Sequence, residues 1–268
     1  MLIVIPYQTK IFTEPFPLEL LLHDVVGNDL EEGDIIVIAS KVVSISEGRV
    51  IFLQDVAVTE EAWALATEFR MNPFFCQAIL QEADEILGGV PGVITTMKNG
   101  IVTPFAGVDQ SNVPKNHAVL WPKNPSSTAQ KLHDYIKKTV GVSVGIIISD
   151  SQIAPLRVGT YGVAIAVAGF DGIIDRRGDK DLFGKTMHVT RLNLADNLAS
   201  AANLVMGETI ERRPFVLIKG VSIQFSDTPA FELTRKLLMD PDECLIFGSL
   251  SSWGPENDNS NLPHFLSL

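Results

Sequence analysis

The chain has 268 residues, and 46% of them are hydrophobic, enough for a sizeable core in one large domain or two intertwined ones. Its 32 acidic and 21 basic residues leave a net charge of −11, which argues against non-specific nucleic-acid binding but not against a nucleotide whose charge a metal ion offsets. Two cysteines and five scattered histidines make neither a disulfide framework nor zinc spacing, and no apolar run has transmembrane length. The apolar residues 1–5 are too short for a secretory signal and are closed by Pro6, so a cytoplasmic protein without membrane or nucleic-acid partners is expected.

In chain order, PFPLELLLHDV (residues 15–25) predicts a short amphipathic helix, and DIIVIASKVVS (34–44) a buried strand with Ser40 and Lys41 at its end. TEEAWALATEFR predicts a helix capped by Thr59. In NPFFCQAILQEADEIL, Asn72 caps a second helix, Pro73 takes its first position, and Cys76, Ile79, Leu80, Ala83 and Leu87 trace one face. GVITTMKNGIVTPFAGVDQSNV reads as a hairpin about a type I′ Asn99-Gly100 turn, its second strand running into a loop with Asp109, Ser111 and Asn112.

NPSSTAQKLHDYIKKTVG predicts a helix from Asn124 to Gly141, and GIIISDSQIAPLRVG (145–159) a buried strand that stops at Asp150. The polar, glycine-punctuated DGIIDRRGDKDLFGK (171–185) reads as a loop. VTRLNLADNLASAANLVMG carries a helix with Leu194, Leu198, Ala201 and Val205 on one side and Gly207 after it, and PFVLIKG is a late strand. From about Ser251 the chain loses periodicity and reads as a loosely ordered tail. Without a regular βαβ period, the fold class is α+β, mixed sheets with flanking helices.

Asp109 and Asp150 each follow an apolar strand, the placement that suits hard oxygen ligands for Mg²⁺ or Mn²⁺; Ser151 and Glu208 are candidates for a second ion. Either aspartate taken alone also suits an ordinary turn or cap. No Walker A, G-x-G-x-x-G or G-x-S-x-G motif occurs, so phosphate donors would come from Ser40, Lys41, Asn112, Arg157 and the amides of glycine turns. In RRGDKDLFGK, Arg177, Asp181 and Lys185 are candidates to orient an anionic substrate, although the same mixture of charges suits a solvated surface loop.

Five stretches, ASKVVSISEGRV, AGVDQSNVP, GIIISDSQIAPLRVGTYGVAIAVAG, RRGDKDLFGKTMHVTRLNLADNLASAANLVMGE and PFVLIKG, together resemble the coenzyme F420:γ-glutamyl ligase family in order and spacing. The resemblance spans roughly residues 5–220 and implies an intertwined homodimer with a cleft. It also implies a GTP-dependent ligase that joins L-glutamate to a small-molecule carboxylate acceptor, a coenzyme F420 precursor. Carried onto matching positions, it makes Asp109 and Asp150 metal ligands and places Ser151 and Glu208 at a second ion. Ser40, Lys41 and Asn112 would then contact the nucleoside triphosphate, and the turn containing Gly207 and Thr209 would line its phosphates. A ligase domain over 1–225, with room for two intertwined subdomains, and a C-terminal extension over 226–268 follow.

The chain departs from the family where Ile45 replaces a lysine, where TIERRP replaces a glycine-rich turn, and where Ala166 stands at a common glycine. These departures keep other readings open: a folate γ-glutamate ligase, a non-catalytic nucleotide or pterin binder, or a metal-dependent phosphohydrolase.

Overall fold

In the computed structural model, residues 1–251 are described; the tail expected from about Ser251 onward lies, after that residue, outside them. In chain order the elements are β1 (Ile3–Tyr7), α1 (Leu18–Val26), β2 (Ile35–Ala39), α2 (Ser40–Ser46), β3 (Val50–Phe52), α3 (Glu60–Phe69), α4 (Pro73–Glu82), β4 (Glu85–Val90), β5 (Val93–Lys98) and β6 (Ile101–Pro104). They continue with β7 (His117–Val119), α5 (Pro125–Thr139), β8 (Gly145–Ile153), β9 (Thr160–Ala168), β10 (Ile173–Asp175), β11 (Arg191–Asn193), α6 (Leu194–Met206), β12 (Phe215–Lys219) and α7 (Ala230–Arg235). Met1–Leu237 forms one compact unit; Leu238–Leu268 is a second, whose described part holds a 3-10 turn at Pro241–Glu243 and α8 (Leu245–Ser251).

The main sheet of the first unit runs β1-β12-β2-β8-β9, with β2 and β8 parallel and every other pair antiparallel. One parallel pair in an otherwise antiparallel sheet is the mixed α+β class expected from the irregular alternation. Strand periodicity sorts the side chains onto two cores. Ile36, Ile38, Ile146, Ile148, Phe215 and Leu217 pack with α1 and α5 residues such as Leu22 and Leu132. Ile35, Val37, Ile147, Val216 and Ile218 pack with Leu198, Ala199 and Ala202 of α6 and Leu233 of α7. A third core gathers Phe69 of α3, Cys76 and Ile79 of α4, and Ile94 of β5 beside the β4-β5-β6 sheet.

Local signals placed most boundaries. Thr59 accepts a hydrogen bond from the Ala62 amide, Asn72 from the Phe74 and Phe75 amides, and Asn124 from the Ser127 amide, each satisfying orphan donors of a first helical turn. Asn99 and Gly100 both take positive φ (52° and 77°), as a type I′ turn requires.

Five expectations are corrected. Helix α4 stops at Glu82, because Ala83 turns extended and the next residues pair with β5; Leu87 falls at the bulge between Ile86 and Gly88, not on the helix face. The second hairpin strand stops at Pro104, where a 3-10 turn, Phe105–Gly107, begins. Strand β8 does not stop at Asp150 but continues to Ile153, and Ser40 and Lys41 open a helix that the strand-like pattern of 34–44 concealed. The supposed loop 171–185 begins with β10, which pairs with β11.

The buried stripe of α6 is Ala195, Leu198, Ala199, Ala202 and Met206, rotated from the expected face; Ala201 and Val205 are only half-buried. The cause is the close approach of α6 to β9: a Cβ on Gly162 would lie 2.3 Å from the Ala199 carbonyl oxygen, so the helix needs alanine on its inner side and no side chain beneath it. Gly162→Val is therefore expected to destabilise the protein by roughly 2–3 kcal/mol or more, by the overpacking cost of a tight interface, read as a fall in the urea midpoint. An unchanged midpoint would show that α6 can lift away.

Candidate functional site

Parallel strands β2 and β8 pair as far as Ala39 and Ser149. Beyond that point the chain of β2 turns into α2, while β8 runs on beside β9 alone after a shift of register between Ile148 and Ser149. Asp150 is thus the first residue of β8 past its β2 neighbour, at the carboxyl end of the parallel pair, where α/β sheets open crevices. Ser40, the first residue of α2, donates from Oγ to Asp150 Oδ1 at 2.8 Å. Lys41, the next residue, reaches Asp109 instead: its Nζ lies 2.6 Å from Oδ2.

Asp109 is pinned from the other side. Its backbone exchanges two hydrogen bonds with Val119 (2.9 and 2.8 Å), and the turn before it brings Gly107, at positive φ, directly against the Trp121 ring. Its carboxylate also accepts from the Ser111 amide (2.6 Å) and Oγ (2.8 Å), and Lys41 donates to Ser111 Oγ and carbonyl oxygen. The two aspartates therefore face one cavity of about 890 Å³, held by consecutive residues of one helical turn.

Their electrostatics differ. Burial raises the carboxyl of Asp150 to about 6, helped by the nearby charge of Asp109 and opposed by the Ser40 hydroxyl, the Ser151 amide and the Lys41 charge. Burial also works to raise Asp109, but the charge and hydrogen bond of Lys41, with the bonds from Ser111, outweigh it and hold the group below the ordinary carboxylate range.

On the far wall, Glu208 Oε1 accepts from Ser151 Oγ (3.0 Å), Thr160 Oγ1 (3.0 Å) and Asn203 Nδ2 (3.1 Å). Gly207 to Arg213 follow as a turn, and residues 9–13, the connection after β1, complete the rim, tied to the turn by a Thr9 amide to Arg212 carbonyl bond of 2.9 Å. Lys10, Lys41, Arg212 and Arg213 face the cavity together with Asp109, Asp150, Glu208 and Glu211. Among the described residues no three His, Cys, Asp or Glu side chains are placed to hold one ion together. The donors facing the cavity are oxygens, with two aspartates and the hydroxyls of Ser40 and Ser151 nearest the strand ends.

The structure brings Ser40, Lys41, Asp109, Asn112, Asp150, Ser151, Gly207, Glu208 and Thr209 to this cavity. It does not bring Arg157, Arg177, Asp181 or Lys185, which are absent from its lining. Arg157 is exposed on the β8–β9 connection, and Arg177 is paired with Asp175 through Nε at 2.9 Å. Asp181 closes a turn by accepting from the Phe183 and Lys185 amides at 2.8 Å each, leaving Lys185 exposed. The rim 9–13 and Asn203 escaped sequence reasoning; the first has no periodicity, and the second lies inside a helix whose pattern announces only packing. Ile45 faces the cavity and is 8% exposed, so an apolar side chain stands where the family's lysine is expected.

Comparison with known proteins gives a consistent result. The family model for F420-0:gamma-glutamyl ligase matches residues 17–220. The coenzyme F420:L-glutamate ligase of Methanocaldococcus jannaschii is 44% identical over 207 residues, covering 77% of this chain and 83% of the relative. The protein of the same name from Methanopyrus kandleri is 37% identical over 239 residues, 85% of this chain and 94% of the relative.

The raised carboxyl of Asp150 has a definite pH signature. A group whose folded value (about 6) exceeds its unfolded value (3.8) favours folding only while protonated, so its contribution is lost as pH rises through that window. In the metal-free protein, Asp150→Asn is expected to match wild type near the low end of the window and to gain on the order of 1–3 kcal/mol above its upper end. Urea denaturation at both pH values checks this; a pH-independent difference would contradict it.

Proposed function

The chain belongs to the F420-0:gamma-glutamyl ligase family, and from that premise we propose that it is a carbon–nitrogen-bond-forming ligase that couples L-glutamate to a coenzyme F420 precursor. We propose further that it uses GTP and Mg²⁺ or Mn²⁺, and works as an intertwined homodimer. The observation that carries the site assignment is the pair Asp109 and Asp150, held at one cavity by Lys41 and Ser40.

The donor set fits a hard divalent ion. Two carboxylates and hydroxyl oxygens leave the remaining coordination to water and phosphate, which is how Mg²⁺ is usually bound. Asp109 and Asp150 would hold the ion nearest the sheet, and Ser151 and Glu208 a second. Bound there, such ions supply positive charge to the β- and γ-phosphate oxygens. A buried Asp150 beside a second carboxylate is costly without a cation, which supports the same reading.

The proposed reaction has two steps. A carboxylate oxygen of the acceptor attacks the γ-phosphorus of GTP, the bond to the β-phosphate oxygen breaks, and an acyl phosphate and GDP form. The glutamate amine then attacks the acyl carbon; the C–N bond forms, phosphate leaves with its oxygen, and the amine proton passes to solvent. Ser40, Lys41 and Asn112 orient the triphosphate from one wall, with Gly207 and Thr209 opposite. Lys41, paired with Asp109, would be placed to donate to a phosphate oxygen if Asp109 served as a ligand to a divalent ion. A cavity of about 890 Å³ is at the upper end of the range for small-molecule sites and accommodates more than a nucleotide.

Water must be kept from the acyl phosphate. Leu156 and Val158 at the β8–β9 tip, and Leu182 and Phe183 in the 176–190 loop, are almost completely exposed (104%, 107%, 99% and 95%). Such apolar tips support a partner copy that covers them, and a partner's loops would carry Arg157, Arg177, Asp181 and Lys185 to the cleft edge. No helix among the described residues is long and apolar enough to cross a membrane.

The decisive assay is phosphate release dependent on both glutamate and acceptor, run with the deazaflavin precursor and with folate, and with GTP and ATP. Activity is expected with the deazaflavin precursor and GTP. Asp109→Asn and Asp150→Asn should each lower kcat by at least ~10²-fold, an expectation from electrostatic stabilisation of the transferring phosphoryl group, while remaining folded. Release without glutamate would make the protein a phosphohydrolase, and no release in any combination would leave a binding protein. For the assembly, Leu182→Asp with Phe183→Asp should convert a dimer to a monomer by light scattering; a monomeric wild type would refute the dimer.

A further inference from the structure

The turn that follows α6 holds a feature the proposed reaction does not use. Thr209 presents its amide and hydroxyl to the cavity side of the turn, and both are already taken. The amide donates to Glu211 Oε2 at 2.9 Å, and the Thr209 Oγ1 lies 3.2 Å from each Glu211 carboxylate oxygen. The same carboxylate lies over Gly207: a Cβ built there would be 2.3 Å from its Cδ and 2.6 Å from Oε2. A glycine at positive φ (76°) leaves the backbone bare for close approach by an anionic group, and here that bare surface is covered by a side chain of the same turn.

We propose that Glu211 is an internal anion which occupies the phosphate-binding face of this turn and must swing away before a triphosphate can dock; the inference rests on the reading of the cavity as a nucleotide site. Three observations favour displacement over a fixed brace. The carboxylate is bonded only within its own turn, to Thr209 two residues earlier and to its own amide, so releasing it unties no distant segment. The cations that would receive a phosphate, Arg212, Arg213 and Lys10, face the same cavity. Finally, the carboxylate occupies the Thr209 amide and hydroxyl that a phosphate would seek, and the two anions repel each other. The Thr209 amide, the Glu211 amide, the Thr209 hydroxyl and the Arg213 charge hold its carboxyl below the usual glutamate range.

The consequence is a site tuned toward weaker nucleotide affinity and faster release of the spent nucleotide, with the turn kept folded when empty. The test uses the full chain with Mg²⁺ and two probes, GTP and inorganic tripolyphosphate, in calorimetric titrations of wild type, Glu211→Gln and Glu211→Ala. Glu211→Gln keeps the size of the side chain and one acceptor oxygen and removes its charge, so it serves where the alanine variant is impaired in folding. Removing one like charge at contact range is expected to tighten both probes by roughly fivefold or more. In turnover, KM for GTP should fall while kcat stays level or drops. Equal or weaker binding in both variants, with wild type binding normally, would overturn the internal-anion role alone. Failure of wild type and both variants to bind either probe would overturn the nucleotide reading and this inference with it.

Discussion

The site depends on one constraint: a parallel strand pair that ends in step, with the two chains then parting. Because β2 turns into α2 immediately after Ala39 while β8 continues, the first side chain of the helix and the first unpaired-edge side chain of the strand meet, and they are Ser40 and Asp150. Lys41 is rotated by one helical step, about 100°, and so addresses a different part of the wall, where Asp109 arrives from the β6–β7 connection. Adjacency in sequence at 40 and 41 thus becomes adjacency in space for residues 109 and 150, which no local interaction links. The third core, which buries Ala106 and Val108, and Trp121 of the first core against Gly107 hold the second half of that encounter in place.

The cavity is electrostatically self-compensated when empty. Asp109 is neutralised by Lys41, Glu208 is satisfied by three neutral donors, and Glu211 by its own turn, while Asp150 has only a hydroxyl and an amide close by. These internal partners limit the cost of holding the carboxylates at the cavity wall. On the proposed function such an arrangement would suit exchange: a cation taking Asp109 would free Lys41, and an anion taking the turn would free Glu211. Binding then replaces intramolecular partners instead of adding contacts to vacant groups, so much of the gross interaction energy is offset.

Much of this was legible from residues alone. The caps at Thr59, Asn72 and Asn124 and the Asn99-Gly100 turn rest on local hydrogen bonds and dihedral preferences, and those are encoded within four residues. Asp109 and Asp150 stood out because a carboxylate after a buried strand is conspicuous. What escaped was decided by tertiary contact. The face of α6 turns because Gly162 approaches from another strand. The break at Ala39 falls between two runs of strand formers, 35–38 and 42–43, and the burial of Ser40 and of 42–45 accompanies a helix there. The rim at 9–13 carries no period, and its role follows from where β1 and β12 end, which pairing and not composition determines. Arg157 looked like a site residue as a lone cation after the Asp150 strand, and Arg177, Asp181 and Lys185 because charges cluster in sequence there; in space their loops leave the cavity, and Arg177 and Asp181 are absorbed in local pairs.

The departures from the family pattern converge on the same wall and nearly cancel in charge. The resemblance leads one to expect a lysine where Ile45 stands and a glycine-rich turn where this chain carries Glu211, Arg212 and Arg213. One cation goes; two cations and one carboxylate arrive, so the formal sum is unchanged while its location shifts from the helix wall to the rim. A buried position such as 45 is an expensive place for an unpaired ammonium in the empty state, and isoleucine removes that cost. Guanidinium groups on an exposed rim are cheaply solvated when no ligand is present and can still bind phosphate bidentately when one is. The two guanidinium groups thus stand on an exposed rim, while the helix wall at 45 is apolar. The Glu211 carboxylate braces that turn from within through Thr209, and the Thr9 amide ties it to residues 9–13 through the Arg212 carbonyl.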